Sequence, residues 1–248
     1  MTLRIGVLGA SGRMGQLVTA AVLADPDTEL VASVDSAPSP TVAILGDGVF
    51  VDTDVVIDFS APAALVAALP HLGGAVLVTG TTGLDDRQQQ LLVGEFENRA
   101  VLQAANFSTG VNVLLDLVAR AAGILADYDI EIVEAHHRRK VDAPSGTALA
   151  LGRAVAQGRA VALEDLAIHG REGQVGARPD GQIAFHALRG GDVAGDHTVW
   201  IAGGGERIEL RHVASSRATF AKGALRAAKW LSGRPAGRYT MRHMLDLD

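Results

Sequence analysis

Five short apolar runs rich in β-branched residues, separated by stretches with helical spacing, occupy the first hundred residues. This alternation constrains the fold more than any other feature of the chain. Arg4–Leu8, Leu30–Asp35, Val55–Phe59, Ala75–Thr79 and Val101–Ala104 read as buried strands. Met14–Leu23, Pro62–Leu72 and Asp86–Asn98 read as the helices between them. Strands linked through helices run parallel, and runs apolar on both faces need cover on both sides. The expected architecture is an α/β, Rossmann-type doubly wound parallel sheet. Ser36–Pro40 reads as a loop.

The pattern changes after Asn106. Val111–Leu125 predicts a long helix and Asp129–Ala135 alternates as a strand. Ser145 is a good N-cap ahead of Ala148-Leu149-Ala150-Leu151. Gly158–Gly181, rich in glycine and charge, reads as a mobile surface loop. Ile183–Leu188, His197–Ala202 and Arg207–Val213 read as strands, with Gly203-Gly204-Gly205 as a hairpin turn between the last two. Phe220–Leu231 is the expected final helix. The second part therefore predicts an α+β domain with an antiparallel or mixed sheet.

The first strand runs into Gly9-Ala10-Ser11-Gly12-Arg13-Met14-Gly15, a G-x-x-G-x-x-G variant of the dinucleotide fingerprint. Glycine allows the tight turn and close approach of a pyrophosphate, and the helix N-terminus supplies N–H groups and a favourable dipole. Asp35 follows Gly15 by 20 residues, where a carboxylate can bind ribose hydroxyls. Gly80-Thr81-Thr82-Gly83 and Ala104-Ala105-Asn106-Phe107 follow the fourth and fifth strands. Carboxyl ends of strands line the ligand crevice of such a sheet. The candidate cofactor contacts are thus Gly9 to Met14, Asp35, Gly80, Thr81, Thr82 and Ala104 to Phe107.

Glu134-Ala135-His136-His137-Arg138-Arg139-Lys140-Val141-Asp142-Ala143-Pro144-Ser145-Gly146-Thr147 concentrates the remaining chemistry. His136 ends the strand pattern, and an imidazole exchanges protons near neutral pH. Lys140 or the neighbouring arginines can pair with a carboxylate. Ser145, Gly146 and Thr147 open a helix, so their N–H groups suit a second carboxylate. A small acidic substrate follows from this kit. The adjacent histidines do not form a metal motif, and no metal is expected.

Bulk composition narrows the classes further. A hydrophobic fraction of 48% against 20% charged describes a folded globular chain. A net charge of -6 with scattered cations gives nucleic acid no broad basic face. The absence of cysteine removes disulfides and thiolate chemistry. No apolar run reaches membrane-spanning length and the N-terminus lacks a signal-peptide pattern, so a cytoplasmic location is expected.

These motifs, together with Leu188-Arg189-Gly190-Gly191-Asp192-Val193-Ala194-Gly195-Asp196-His197 and Ala214-Ser215-Ser216-Arg217, resemble the 4-hydroxy-tetrahydrodipicolinate reductase (dihydrodipicolinate reductase) family across almost the whole chain. The resemblance implies an NAD(P)H-dependent reduction with loss of water, in lysine and diaminopimelate biosynthesis. It implies a dinucleotide-binding domain from residues 1–107 completed by 217–248. Residues 108–216 then form the substrate-binding domain and the contacts of a homotetramer. By position, His136 matches the family's proton donor or acceptor and Lys140 its catalytic proton donor. His137, Gly146, Thr147 and Arg217 match substrate contacts. Arg139 stands where many members have histidine. Ser36 follows Asp35 where some have arginine, which favours NADH over NADPH. A dehydrogenase for another amino or keto diacid and a non-enzymatic nicotinamide sensor are the alternatives. The sensor would not need His136 and Lys140.

Overall fold

The computed structural model describes residues 2–39 and 41–247. Met1 and Asp248, at the outer bounds of the expected domains, and Pro40, in the expected 36–40 loop, lie outside the described residues. The chain forms two compact units, Met1–Thr109 with Arg217–Asp248, and Gly110–Ser216.

The first unit is built on a six-stranded parallel sheet. Its strands are β1 (Leu3–Leu8), β2 (Thr28–Val34), β3 (Val55–Asp58), β4 (Val76–Thr79), β5 (Ala100–Gln103) and β11 (Gly237–Tyr239), in the order β11-β5-β4-β3-β1-β2. The order reverses between β1 and β3, which opens a crevice at their carboxyl ends. One face is covered by α1 (Arg13–Ala24) and α6 (Ala218–Leu231), whose Val18, Val22, Ala224 and Ala228 pack with Ile5, Val7 and Ile57. The other is covered by α2 (Pro62–Ala68) and the segment containing α3 (Asp86–Gly94), through Leu65 and Leu92 against Val56, Leu77 and Val101. Burial from two sides explains why the central strands β3 and β4 are apolar along almost their whole length. The predicted helix over 62–72 breaks at Ala68 into a 3₁₀ turn, Leu69–His71, with proline at its start. Proline lacks the N–H needed to continue the α-helical ladder.

The second unit places α4 (Thr109–Ile124) and α5 (Gly146–Gly158) with a five-stranded mixed sheet. The strands are β6 (Asp129–His136), β7 (Ala167–His169), β8 (Ile183–Arg189), β9 (Asp196–Gly203) and β10 (Glu206–Val213), in the order β10-β9-β6-β8-β7. β6 is parallel to β8 and antiparallel to β9. The core joins Leu114 and Val118 of α4 and Leu151 and Val155 of α5 to Ile130, Ile132, Ile183, Phe185, Val199 and Ile201. Gly203 pairs with Glu206, so Gly204 and Gly205 make the two-residue hairpin turn, with Gly205 at φ +89°.

Two expectations need correction. The stretch 158–181 is not all loop, because Ala167–His169 pairs with Ile183–Phe185 as β7. Its core contacts and its ladder partner lie outside the segment, where local composition does not report them. The helix ending at Leu231 is not the last element, since β11 and α7 (Met241–Leu245) follow it. Among the described residues, no helix is long and apolar enough to cross a membrane.

Candidate active site

In the first unit, Gly9 turns the chain at φ +80°, and a Cβ there would lie 2.7 Å from the Phe59 carbonyl oxygen. A Cβ on Gly15 would lie 2.0 Å from the Gly9 carbonyl oxygen, so helix and loop meet backbone to backbone. Gly12 is the N-cap of α1 and offers no side-chain acceptor, and the first turn has no acidic residue. A helix start without its own anion suits a phosphate. Ser11 and Arg13 are exposed beside it, Ala10 is buried, and Met14 packs against the core.

Asp35 lies one residue past β2 and ties this loop to the strand end. Its Oδ2 accepts the Ser11 N–H at 2.9 Å, and its Oδ1 accepts the Ser36 N–H at 2.6 Å and hydroxyl at 3.1 Å. Burial pushes this carboxyl up, but the Ser11 and Ser36 hydrogen bonds outweigh it and hold it below its usual range. At the ends of β3 and β4 a second carboxylate, Asp58, is fully buried. It accepts from the Ser60 N–H at 2.9 Å and the Thr79 hydroxyl at 2.7 Å. Burial pushes its carboxyl up. These bonds fix the turns before Gly80-Thr81-Thr82. Gly80 is itself indispensable for space, since a Cβ there would meet the Phe59 ring at 2.4 Å. Thr81 is buried and Thr82 exposed. After β5, Ala104 donates its N–H to the Thr79 carbonyl at 3.1 Å, Ala105 is exposed, and Asn106 Oδ1 accepts the Ser108 N–H at 2.8 Å. The Phe107 ring sits in the core, 5.5 Å from the Phe59 ring, which leaves only its backbone for a ligand.

In the second unit, β6 alternates so that Ile130, Ile132, Glu134 and His136 face inward. The polar pair at the strand end is therefore carried into the interior by the same period that buries the isoleucines. His136 Nδ1 lies 2.6 Å from Glu134 Oε2. Arg189 of β8 binds the same carboxylate through both terminal nitrogens, each at 2.8 Å, and the Ser145 N–H donates to Oε1 at 3.1 Å. Arg189 also donates to the Asp142 carbonyl, and the Asp142 carboxylate holds Lys140 Nζ at 2.8 Å. Lys140 beside it draws the Asp142 carboxyl below its usual range. His137 donates its N–H to the Val193 carbonyl at 2.8 Å, and Gly190 donates to the His136 carbonyl at 3.0 Å. The basic loop is thus laced to the β8–β9 connection.

Ser145 is the N-cap of α5, its hydroxyl accepting from the Ala148 N–H. The Ser145 N–H donates to Glu134, while Gly146 and Thr147, exposed and half-buried, begin α5. Arg217 is the N-cap of α6, in the first unit. The sequence reading assigned no role to Glu134, Arg189 or His197. Cross-strand register brings them in, with His136 opposite Arg189 and Glu134 opposite His197. Among the described residues, no cluster of His, Cys, Asp or Glu suits a metal ion.

His197 is buried, with Nε2 3.1 Å from the Ser145 hydroxyl and its ring 5.1 Å from that of His136. Burial, and secondarily the charge of His136, push its imidazole from 6.5 down to about 4. The unfolded chain therefore takes up a proton near pH 6.5 that the folded chain refuses until about pH 4. This stabilisation is present above pH 6.5 and is lost as pH falls through that window, by roughly 3 kcal/mol at about 1.4 kcal/mol per pH unit. In His197→Gln, which keeps a polar atom toward Ser145, the fall in unfolding temperature between these pH values is expected to be shallower. Equal slopes in wild type and variant by thermal denaturation would disprove it.

The parallel sheet with its glycine turn and the buried imidazole–carboxylate cluster define a class, the oxidoreductases with an NAD(P)-binding Rossmann domain and a separate α/β unit. Residues 3–107 match the family description "Dihydrodipicolinate reductase, N-terminus" and residues 110–245 match "Dihydrodipicolinate reductase, C-terminus". The chain belongs to the dihydrodipicolinate reductase family of lysine biosynthesis. It is 47% identical to the 4-hydroxy-tetrahydrodipicolinate reductase of Burkholderia multivorans, covering 99% of this chain and 100% of that one. The enzyme of the same name from Thiobacillus denitrificans is 46% identical, covering 100% of both chains. A solved structure, dipicolinate-bound dihydrodipicolinate reductase from Paenisporosarcina sp. TG-14, is similar with a TM-score of 0.76 and 26% identity, covering 97% of this chain and 98% of that one.

Proposed function

We propose that the two units divide the reduction of 4-hydroxy-tetrahydrodipicolinate, the first holding a nicotinamide cofactor and the second the dicarboxylate. One observation carries this reading. An unbroken chain of contacts joins Lys140, Asp142, Arg189, Glu134 and His136 to the N-terminus of α5. It gathers a proton-exchanging ring, an ammonium and helix N–H groups in one unit. His136 exchanges a proton with the substrate. Lys140 pairs with a substrate carboxylate and donates a proton. Gly146 and Thr147 receive the second carboxylate at the helix start, and His137 completes the substrate contacts. The dipicolinate of the Paenisporosarcina structure is a ring dicarboxylate of the same class. The expected result is oxidation of NADH or NADPH, followed by absorbance, when 4-hydroxy-tetrahydrodipicolinate is generated enzymatically in the cuvette. Oxidation with another keto or amino diacid but not with this substrate would overturn the reading.

The first unit fits the cofactor because its glycines let the loop pack backbone to backbone against the start of α1, and that helix start lacks its own anion. When bound, the nicotinamide supplies the hydride. Gly9 to Met14 receive the pyrophosphate, Gly80 to Thr82 and Ala104 to Phe107 the nicotinamide side, and Asp35 the adenosine ribose. A carboxylate offers about four acceptor positions, and Ser11 and Ser36 take three at Asp35. A second ribose hydroxyl therefore displaces the Ser36 hydroxyl. A 2′-phosphate would meet a carboxylate with no cation at position 36, so NADH is the preferred cofactor. Exposed Arg13 keeps NADPH usable. Ser36→Arg is expected to move the ratio of kcat/KM values toward NADPH. A wild type that strongly favours NADPH, or a substituted enzyme with no shift, would contradict the assignment.

The chain is also proposed to assemble as a homotetramer through the second unit. Leu188 and Trp200 are exposed on the sheet face opposite Ile130 and Ile132, where burial in a partner would remove apolar surface from water. A monomer mass by light scattering at micromolar concentration would refute this. The expected compartment is the cytoplasm.

A further inference from the structure

Glu134 is buried in the second unit with four hydrogen-bond contacts, yet it has no place in the proton transfers assigned above. Its side chain is 1% exposed. Both oxygens face donors only: two Arg189 nitrogens and the Ser145 N–H. Burial raises the carboxyl, but hydrogen bonds from Arg189 and His136 outweigh it and hold it below its usual range. An ionised carboxylate accepts and cannot donate. The contact of 2.6 Å to His136 must therefore be Nδ1–H donating to Oε2. That leaves Nε2 as the ring's other polar atom. A Cβ on residue 195 would stand 3.1 Å from Nε2, so glycine there keeps the side of the ring open.

We propose that Glu134 and Arg189 are positioning residues for the reduction: the arginine clamps the carboxylate, and the carboxylate fixes His136 with a proton on Nδ1 and Nε2 presented to the substrate. This rests on the reading of His136 as the proton-exchanging group. The clamp is built from non-local pairing, because residue 189 lies opposite residue 136 in the β6–β8 ladder. The charges nearby are accounted for on each strand. Arg189 on β8 balances Glu134 on β6, and His197 on β9, pushed down to about 4, is neutral at working pH. Arg189 also reaches the Leu188 and Asp142 carbonyls at 2.6 Å, which ties the clamp to the loop that carries Lys140. A bidentate arginine resists rotation of the carboxylate in a way that a single ammonium contact does not.

The decisive variant is Glu134→Gln. Its amide oxygen is needed by Arg189 and the Ser145 N–H, which turns the amide N–H₂ toward Nδ1. A donor facing Nδ1 favours the ring with its proton on Nε2. The test is histidine-labelled long-range ¹H–¹⁵N correlation on the intact protein, with the signal identified by its loss in His136→Asn. The expected result is that the neutral form of His136 carries its proton on Nδ1 in wild type and on Nε2 in Glu134→Gln. With it, kcat should fall by about 10² to 10⁴-fold, the range of a misplaced acid–base group, while the cofactor KM stays within about twofold, since the cofactor belongs to the other unit. Glu134→Asp, which keeps the charge, should recover part of the loss. An unchanged tautomer in Glu134→Gln, or a tautomer change with wild-type kcat, overturns the proposal. If Glu134→Gln gives no folded protein, Arg189→Lys carries the test, with a loosened Nδ1 preference and roughly tenfold lower kcat expected, a single hydrogen bond to a charged group being worth about 1.5 kcal/mol or more; no change in either overturns it. Wild-type turnover in His136→Ala would instead sink the reading of His136, and the NMR result separates the two failures.

Discussion

His136→Ala is expected to lower kcat by about 100- to 10,000-fold, the usual contribution of a positioned acid–base group, with little change in cofactor KM. The separation has a structural basis. His136 belongs to the unit Gly110–Ser216, and the glycine turn and Asp35 belong to the other. Loss of the ring should not unfold the protein. Glu134 keeps Arg189 on both oxygens and the Ser145 N–H, so no buried charge is stranded. A stranded charge would cost several kcal/mol, whereas loss of one hydrogen bond among four is a smaller matter. Steady-state kinetics with the cofactor and the substrate varied in turn provides the check. An unchanged turnover number would remove His136 from the reaction.

Lys140→Ala is the second large effect. It should raise the substrate KM and lower kcat together, by about 100-fold or more in kcat/KM, because one group serves as carboxylate partner and proton donor. Its stability cost should be slight. The ion pair with Asp142 involves an exposed carboxylate, and such pairs are worth about 0–1 kcal/mol. For the same reason the ammonium can leave Asp142 for a substrate carboxylate at little cost. Arg139 is exposed and its substitution should be milder. Rate measurements on Lys140→Ala and Arg139→Ala, each with its unfolding temperature, decide the matter. A larger loss in the arginine variant would show that the wrong cation was chosen within the basic run.

The first sheet was readable because its five early strands are short apolar runs and four of them are followed by a helix. β11 was not. It has three residues, one of them glycine, and pairs with β5 across more than a hundred residues of chain. β7 was hidden in the same way, three residues within a glycine-rich stretch whose strand character comes from its ladder with β8. A periodicity of two needs more residues than either segment has. The reactive segment was readable for the opposite reason. His136, Lys140 and the cap at Ser145 lie within ten residues, so their chemistry is written locally.

The sequence alone determined the parallel sheet, the glycine turn before α1, the inward period of β6 and the cap that starts α5. Each depends on residues within one element or the turn beside it. Only the tertiary structure decided which groups surround His136. Arg189 and His197 arrive from strands more than fifty residues downstream, and the pairing register sets them opposite His136 and Glu134. It also decided that the Ser145 N–H donates to Glu134. A shift of one residue in that register would send every one of these side chains to the other face of the sheet. The propensities of β6 would be unaltered, which is why local sequence carries the strand and only the folded sheet carries the cluster.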